Sequence, residues 1–318
     1  MSDNEYVLCA DPVAVSAAVQ ALSRYSHLVV DCEGDQLGCK GGRLSLLTIR
    51  PASDDSVPTY IFDLLSLKRR NMRRVFDLLR FSFCIKIVFD GRMDYSALWH
   101  EYNIAIFGVI DMQLADLHSR QARRETEAKR LERLSAYLPL SMIKKKPGEC
   151  RALNRLSGLG NCVQEHLRSN ESKGSVDHKR WLERPLSSEQ PDYAAEDVRL
   201  IGKIYKYFKA HEYLEENLPE QSERYVTLWK AQRPEKDRYF NSHCLLPLDI
   251  IDYDASRPTK QCDGCERILA TQCFPREVAS SDGIYCWVCN AILRKKENDK
   301  RKRDNRKRDN AGRGKRRR

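Results

Sequence analysis

The sequence of 318 residues contains no hydrophobic run long enough to cross a bilayer. Its longest apolar stretches have the length of residues 104–110, whereas a spanning helix needs about 20 such residues. The N-terminal segment carries Asp3 and Glu5 where a secretory leader has positive charges, and no long apolar run follows. These absences predict an intracellular protein that does not enter a membrane.

The first 293 residues also lack net charge, because they contain 41 basic and 41 acidic side chains. The whole excess of +11 comes from residues 294–318, which hold 15 Lys or Arg and 4 Asp or Glu. A segment of this composition is expected to be disordered and to bind polyanions.

The basic segment is typical of a nuclear localisation signal or of an anchor for the phosphate backbone, and a solubilising terminus is the alternative. It therefore predicts a nuclear protein. The residues predicted to contact nucleic acid are Arg301, Lys302, Arg303, Arg306, Lys307, Arg308, Lys315 and Arg316.

Cysteine usage does not fit a disulfide framework, since no secretory leader is visible. Seven of the 12 cysteines are scattered singly, and the other five lie within 262–289: Cys273 and two C-x2-C pairs that are separated by 20 residues. This spacing predicts one structural Zn²⁺ held by four thiolates. The ligands would be Cys262, Cys265, Cys286 and Cys289. The module would bind either nucleic acid or a protein partner, and the sequence leaves both open.

The order of apolar segments predicts an α/β domain with a mixed sheet flanked by helices. Short strand-like runs come first, and helices alternate with strands later in the chain. The predicted organisation is a catalytic domain over 1–235, a linker over 236–257, a zinc module over 258–293 and a disordered basic tail over 294–318.

Four acids and one tyrosine occupy positions that suggest a common site. Asp31 and Glu33 are two apart at the end of an apolar strand, so their side chains share one face. Asp94 begins a helix after another strand, while Tyr193 and Asp197 are four apart on a helix. Taken singly, each is also compatible with an ordinary solvated strand end, helix start or surface pair. Four carboxylates at one sheet edge would hold two Mg²⁺ ions, which assist phosphodiester displacement.

The charged stretch 119–149 has two interpretations. It is either a solvated helix followed by a loop or a basic flap near a phosphate-backbone substrate.

These segments, as an ordered set, resemble the DEDDy 3′–5′ exonucleases, the group of RNase D and the Werner-type exonuclease. The resemblance covers about two thirds of the chain and rests on VVDCEG, KIVFDGRMDYSAL, DMQLADL, LSGLG and W-x2-RPLS-x2-Q-x2-YAAED. It implies a ribonuclease H-like fold and a 3′–5′ exonuclease that uses two Mg²⁺ or Mn²⁺ ions on RNA or DNA with a free 3′ end.

The resemblance also implies roles for individual residues. Asp31, Glu33 and Asp197 would hold the ion that carries the attacking water, and Asp94 would serve the second ion. Tyr193 would orient the water, in keeping with the weak basicity of tyrosine at neutral pH. The chain departs from many relatives in having Asp90 where they have histidine. The alternatives are an inactive exonuclease fold that serves as a nucleic-acid-binding scaffold and a zinc adaptor in a larger complex.

Overall fold

The computed structural model describes residues 6–145, 147–169, 176–236, 244–275 and 283–315, with the backbone alone at 149 and 306–315. The chain divides into two compact units. The first unit comprises Met1–Arg124 with Ser157–Lys236, and the second comprises Glu125–Leu156 with Asp237–Arg318.

The first unit is built on a mixed six-stranded sheet with the order β1-β4-β3-β2-β5-β6. The β2–β3 and β3–β4 pairs are antiparallel, whereas β1–β4, β2–β5 and β5–β6 are parallel. The strands are β1 (Tyr6–Cys9), β2 (His27–Asp35), β3 (Arg43–Pro51), β4 (Thr59–Asp63), β5 (Ile85–Val88) and β6 (Val109–Asp111). The predicted mixed α/β sheet is thereby confirmed.

Within the described residues, helices cover both faces of this sheet. In the first unit they are α1 (Pro12–Leu22), α2 (Arg73–Arg80), α3 (Arg92–Tyr102), α4 (Met112–Ala122), α8 (Leu159–Leu167), α9 (Glu189–Ala210) and α10 (Leu218–Val226). The second unit contains the described helices α5 (Glu127–Ser135), α6 (Leu140–Lys145), α7 (Pro147–Cys150) and α11 (Trp287–Lys315). None of these helices is long and apolar enough to span a bilayer.

The two faces of β2 pack against different helices. Leu28 and Val30 belong to a buried cluster that also contains side chains of α1, α2 and α3. Val29 points to the opposite face, where a Cβ on Gly202 of α9 would lie 3.6 Å from its Cγ2. Because side chains alternate along a strand, Asp31 lies on the same face as Val29, towards α9.

The second unit joins residues that the sequence analysis had assigned to separate domains. Leu134 and Leu138, in the segment 125–156, are buried in one cluster with the C-terminal cysteine region, where β7 (Thr259–Gln261) pairs with β8 (Ile268–Ala270). The predicted domain over 1–235 therefore has to be divided at this segment. Its apolar side chains are covered within the second unit, while most of the polar side chains of α5 stay exposed or partly exposed.

The predicted linker over 236–257 also packs where it is described. Leu245 is fully buried and forms an isolated antiparallel bridge with Arg155, and Ile250 is buried nearby in sequence. The apolar residues of this stretch explain the difference, because burying them contributes favourable free energy that a solvated linker would not provide.

The basic segment from residue 294 continues α11, although its composition predicted disorder. The helix runs from Trp287 through Lys315, and Lys295 Nζ lies 2.7 Å from Asp299 Oδ2, an i,i+4 pair that favours helix. Arg301, Lys302 and Arg303 lie on it with exposed side chains. The side chains of Arg306, Lys307, Arg308 and Lys315, and the whole of Arg316, lie outside the described part of the chain.

Lys86 of β5 is a fully buried cation that makes stability depend on pH. Its Nζ donates hydrogen bonds to the carbonyl oxygens of Phe81 and Cys84 at 2.7 and 2.5 Å, and burial lowers the pKa of Lys86 to about 8. Since the unfolded pKa is higher, the unfolded chain holds the proton more tightly, and stability should rise from about pH 8 to pH 10.5.

The comparison of wild type with Lys86→Met measures this effect. The free energy of unfolding in urea, taken at pH 7 and pH 10, should increase in the wild type relative to the variant. A difference that stays constant between the two pH values would contradict the expectation.

Candidate active site and metal centres

Three carboxylates converge where β2 meets α9. Oxygens of Asp31, Glu33 and Asp197 all lie within 4.8 Å of one another. Asp31 is partly exposed, whereas Glu33 and Asp197 are 7% and 3% exposed. Such a group of hard oxygen donors with like charges fits a divalent cation, which would balance the repulsion among them.

A β-bulge follows these acids directly. The register of β2 against β3 shifts between Glu33 and Gly34. A Cβ at Gly34 would lie 2.3 Å from the carbonyl oxygen of Arg43, so glycine is required for the close approach of the strands. The bulge interrupts the regular alternation of side chains along β2 directly after the two acids.

Asp94 brings a fourth carboxylate to the same strand from the opposite layer. It lies in the first turn of α3, and its Oδ1 accepts a hydrogen bond from the backbone N–H of Cys32 at 2.8 Å. Cys32 stands between Asp31 and Glu33, so the bond fixes Asp94 beside them. Burial raises the pKa of Asp94 to about 7, and a nearby cation would favour its ionised form.

Tyr193 lies one turn before Asp197 on α9 and is 7% exposed. Its ring packs against His178 and Trp181, with centroid distances of 5.7 and 6.0 Å. Trp181 is fully buried, so the aromatic contacts hold the tyrosine ring in place. The structure therefore brings Asp31, Glu33 and Asp197 together. Asp94 is bonded to Cys32, between two of these acids, and Tyr193 lies one helical turn before the third.

Asp90, the position that departs from the relatives, anchors the turn that leads into α3. Its backbone is left-handed, with φ of 58°, and its carboxylate pairs with Arg92 at 2.5 and 2.8 Å. Asp111 accepts hydrogen bonds from the N–H groups of Asp90 and Gly91 at 3.1 and 2.9 Å. The Arg92 guanidinium also lies 4.7 Å from the Tyr225 ring. These contacts position Asp94. Sequence reasoning missed Asp111, which is about 20 residues away from Asp90 and Gly91, and the packing of Arg92 on Tyr225.

A second cluster of side chains that could bind a metal forms a hydrogen-bonded network instead. Ligand atoms of Asp116, Cys162 and His166 lie within 4.8 Å of one another, and all three residues are buried. Asp116 already accepts hydrogen bonds from His166 at 2.9 Å and from Arg120. Burial alone would raise the pKa of Asp116, but the bond from His166 and the charge of Arg120 outweigh it and hold that pKa well below its usual range. These partners satisfy the carboxylate without a metal.

Replacement of Asp116 by asparagine should lower the free energy of unfolding by about 3–5 kcal/mol, because it leaves the buried Arg120 without its counterion. Urea unfolding at pH 7 measures the loss. The matched control is Glu183→Gln, which breaks an exposed pair with Arg180 and should change stability by less than about 1 kcal/mol. Equal losses in the two variants would show that the buried pair contributes no more to the free energy of unfolding than the exposed one.

The four cysteines of the two C-x2-C pairs form a compact cluster. The Sγ atoms of Cys262, Cys265, Cys286 and Cys289 all lie within 4.8 Å of one another. Cys265 is partly exposed and the other three are buried. Four thiols in this arrangement fit a tetrahedral Zn²⁺ site with no open position.

Cys273 stays outside the cysteine cluster. Its Sγ lies 3.1 Å from Asp249 Oδ1, and burial raises the pKa of its thiol to about 12. Its neighbour Phe274 belongs to the same buried cluster of the second unit.

Comparison with known proteins agrees with the fold of the first unit. A family model described as a 3′–5′ exonuclease matches residues 6–211. No curated protein sequence matches significantly. Among solved structures, Trypanosoma brucei RNase D is 20% identical over 73% of this chain and 74% of its own, with a TM-score of 0.55. The same enzyme in complex with RNA U12 is 19% identical over 78% of both chains, with a TM-score of 0.57. At these identities the structural matches establish likeness of fold.

Proposed function

Since the chain belongs to the 3′–5′ exonuclease family, we propose that its carboxylate site removes nucleotides from the 3′ end of single-stranded RNA or DNA with two divalent cations. The observation that carries the proposal is the approach of Asp31, Glu33 and Asp197 to within 4.8 Å. A scaffold would gain nothing from three carboxylates held this close, because their mutual repulsion destabilises the fold.

The fit of the donor set supports Mg²⁺ or Mn²⁺ rather than a softer metal, because every candidate ligand is an oxygen. Asp31, Glu33 and Asp197 would hold one ion, and Asp94 would serve the second. When bound, the ions supply Lewis-acid stabilisation of the attacking and leaving oxygens at phosphorus.

Tyr193 acts by position. Its ring is fixed by Trp181 and His178, so its hydroxyl can hold a water molecule in line with the scissile bond. The hydrogen bond from Cys32 N to Asp94 keeps the fourth carboxylate at the same end of β2. The sites of the two ions thus depend on both layers that flank the sheet.

The cysteine cluster would hold one structural Zn²⁺, which would stabilise the second unit. The basic segment of α11 retains the enzyme on nucleic acid through phosphate contacts and directs it to the nucleus. Arg301, Lys302 and Arg303 are exposed on the described part of this helix, which supports such contacts.

The test is a cleavage assay on single-stranded RNA and DNA labelled at either end, with Mg²⁺, Mn²⁺ or EDTA. A 5′-labelled strand should shorten by one nucleotide at a time, while a 3′-labelled strand should release only labelled mononucleotide. RNA is the first substrate to use, because the similar fold of T. brucei RNase D has been solved with RNA U12. Intact binding with no cleavage of any substrate would favour the scaffold.

A further inference from the structure

A basic and aromatic surface covers the outer side of α2 and the loop that follows it. We call it the α2 surface. Its cations occupy the 3₁₀ turn Arg69–Met72, the residue before that turn and the exposed side of the helix. They are Lys68, Arg69, Arg70, Arg73, Arg74 and Arg80, and all six are exposed.

Four of these cations are not neutralised by the protein. In the part of the chain that the structure describes, Lys68, Arg70, Arg73 and Arg74 make no ion pair or side-chain hydrogen bond. The buried side of α2 is apolar, with Val75, Phe76, Leu78 and Leu79, so the arginines are not needed to cover the core. The helix therefore presents free positive charge to solvent.

This concentration of charge is local. The first unit as a whole has 28 basic and 29 acidic residues, so the α2 surface does not follow from a generally basic composition. A local basic surface on a near-neutral body attracts a polyanion to that place.

Three exposed phenylalanines lie at the C-terminal end of the same helix. Phe83 is 76% exposed, and Phe81 and Phe107 are 46% and 45% exposed. The rings of Phe81 and Phe83 stack with a centroid distance of 5.1 Å and an interplanar angle of 18°. The backbone N–H of Phe107 bonds to the carbonyl oxygen of Leu79 at 3.1 Å, which holds it beside α2.

The aromatic residues lie at the opposite end of the sheet from the carboxylates. Phe83 precedes β5, which begins at Ile85 opposite His27 of β2, and Asp31 is four residues further along β2. At about 3.3 Å per residue, roughly 13 Å of strand separates Asp31 from His27, which lies opposite the start of β5. The helix α2 also lies on the face of the sheet opposite α9, so a nucleic acid bound at both places has to pass around the edge of the sheet. A dinucleotide at the carboxylates is too short for this path, so only a longer strand can contact both.

We propose that the α2 surface is a second binding site for the single-stranded nucleic acid whose 3′ end is being cleaved. Unpaired arginines beside stacked, exposed aromatic rings are the combination that binds single strands, since the cations contact phosphates and the rings stack on bases. The inference rests on the proposed function for its choice of ligand. An acidic protein would pair with the cations, but it has no bases to stack on the rings.

The test measures the affinity of the full chain for a fluorescent 24-nucleotide RNA, in an Asp31→Asn background that prevents cleavage. Arg73→Gln/Arg74→Gln and Phe83→Ala should each raise Kd about tenfold. The double variant should also reduce the slope of log Kd against log salt by about 1.4, from two lost phosphate contacts. The matched control is Arg168→Gln/Lys209→Gln, which removes two exposed cations elsewhere and should leave Kd within twofold.

Dinucleotide cleavage by the same variants, with Asp31 intact, should be unchanged. The site is overturned if the 24-nucleotide RNA binds every variant as tightly as wild type, or if the control loses as much affinity. It is also overturned if polyglutamate displaces the RNA and Phe83→Ala changes nothing, because that result indicates an acidic protein partner. If these variants lose RNA affinity but the wild-type chain cleaves no substrate, the binding site on the α2 surface is supported and the proposed exonuclease activity is rejected.

Discussion

Asp31→Asn should lower the rate of 3′ nucleotide release by about 10³-fold or more, while the affinity for single-stranded RNA changes little. Asparagine has nearly the same shape, so the fold of β2 is retained and the charge alone is lost. The remaining pair, Glu33 and Asp197, holds a divalent cation less well, and the loss of several kcal/mol of stabilisation at phosphorus corresponds to this factor.

The same variant has a readout that does not depend on catalysis. Without divalent cations, Asp31→Asn should raise the melting temperature, since it relieves repulsion within the cluster of three acids. Mg²⁺ or Mn²⁺ should then stabilise the wild type and have a smaller effect on the variant, because ligands stabilise only the state that binds them.

Asp35→Asn is the matched control, because it makes the same change on the same strand after the β-bulge. Asp35 is not part of the carboxylate cluster. Its replacement should leave both the cleavage rate and the response to Mg²⁺ as in the wild type. Cleavage by Asp31→Asn at the wild-type rate would exclude the proposed site.

Cys286→Ser should reduce the zinc content from one ion per chain to none and unfold the second unit. Zinc binding to structural sites supplies about 10–16 kcal/mol, more than a small core of this kind yields without metal. Because Leu134 and Leu138 share that core, protease sensitivity should appear within 125–156 as well as around the cysteines.

Zinc content by mass spectrometry and limited proteolysis together measure this result. Cys244→Ser is the control, since Cys244 lies in the same unit, is partly exposed and stays outside the cysteine cluster. It should keep one zinc and the wild-type cleavage pattern. A Cys286→Ser protein that resists protease within 125–156 would show that this segment folds without the metal.

The sequence predicted the local features of this protein well, because their causes are local. The pair Asp11-Pro12 predicts a helix start from the sequence alone, and in the structure the Asp11 Oδ1 accepts hydrogen bonds from Val13 N and Ala14 N at 2.8 and 3.0 Å. Likewise, the two-residue spacing of Asp31 and Glu33 was enough to place both on one face of a strand.

Partners that are distant in the chain could not be found in this way. The apolar residues of 125–156 have helical spacing, but spacing does not reveal that they pack with residues more than 100 positions later. The support that Asp111 gives to the turn at Asp90 is equally invisible without a fold. The exposure of Arg73 and Arg74, and the fact that they make no ion pair in the described residues, likewise become evident only from the structure.

The division of the second unit has a consequence for biosynthesis. Residues 125–156 leave the ribosome well before Cys286, which lies 130 residues after Leu156. At about 5–20 residues per second, this delay lasts roughly ten seconds. During that time Leu134, Leu138 and Ile143 have no completed core to enter, so the nascent chain offers a chaperone-binding segment until the last zinc ligand has been synthesised.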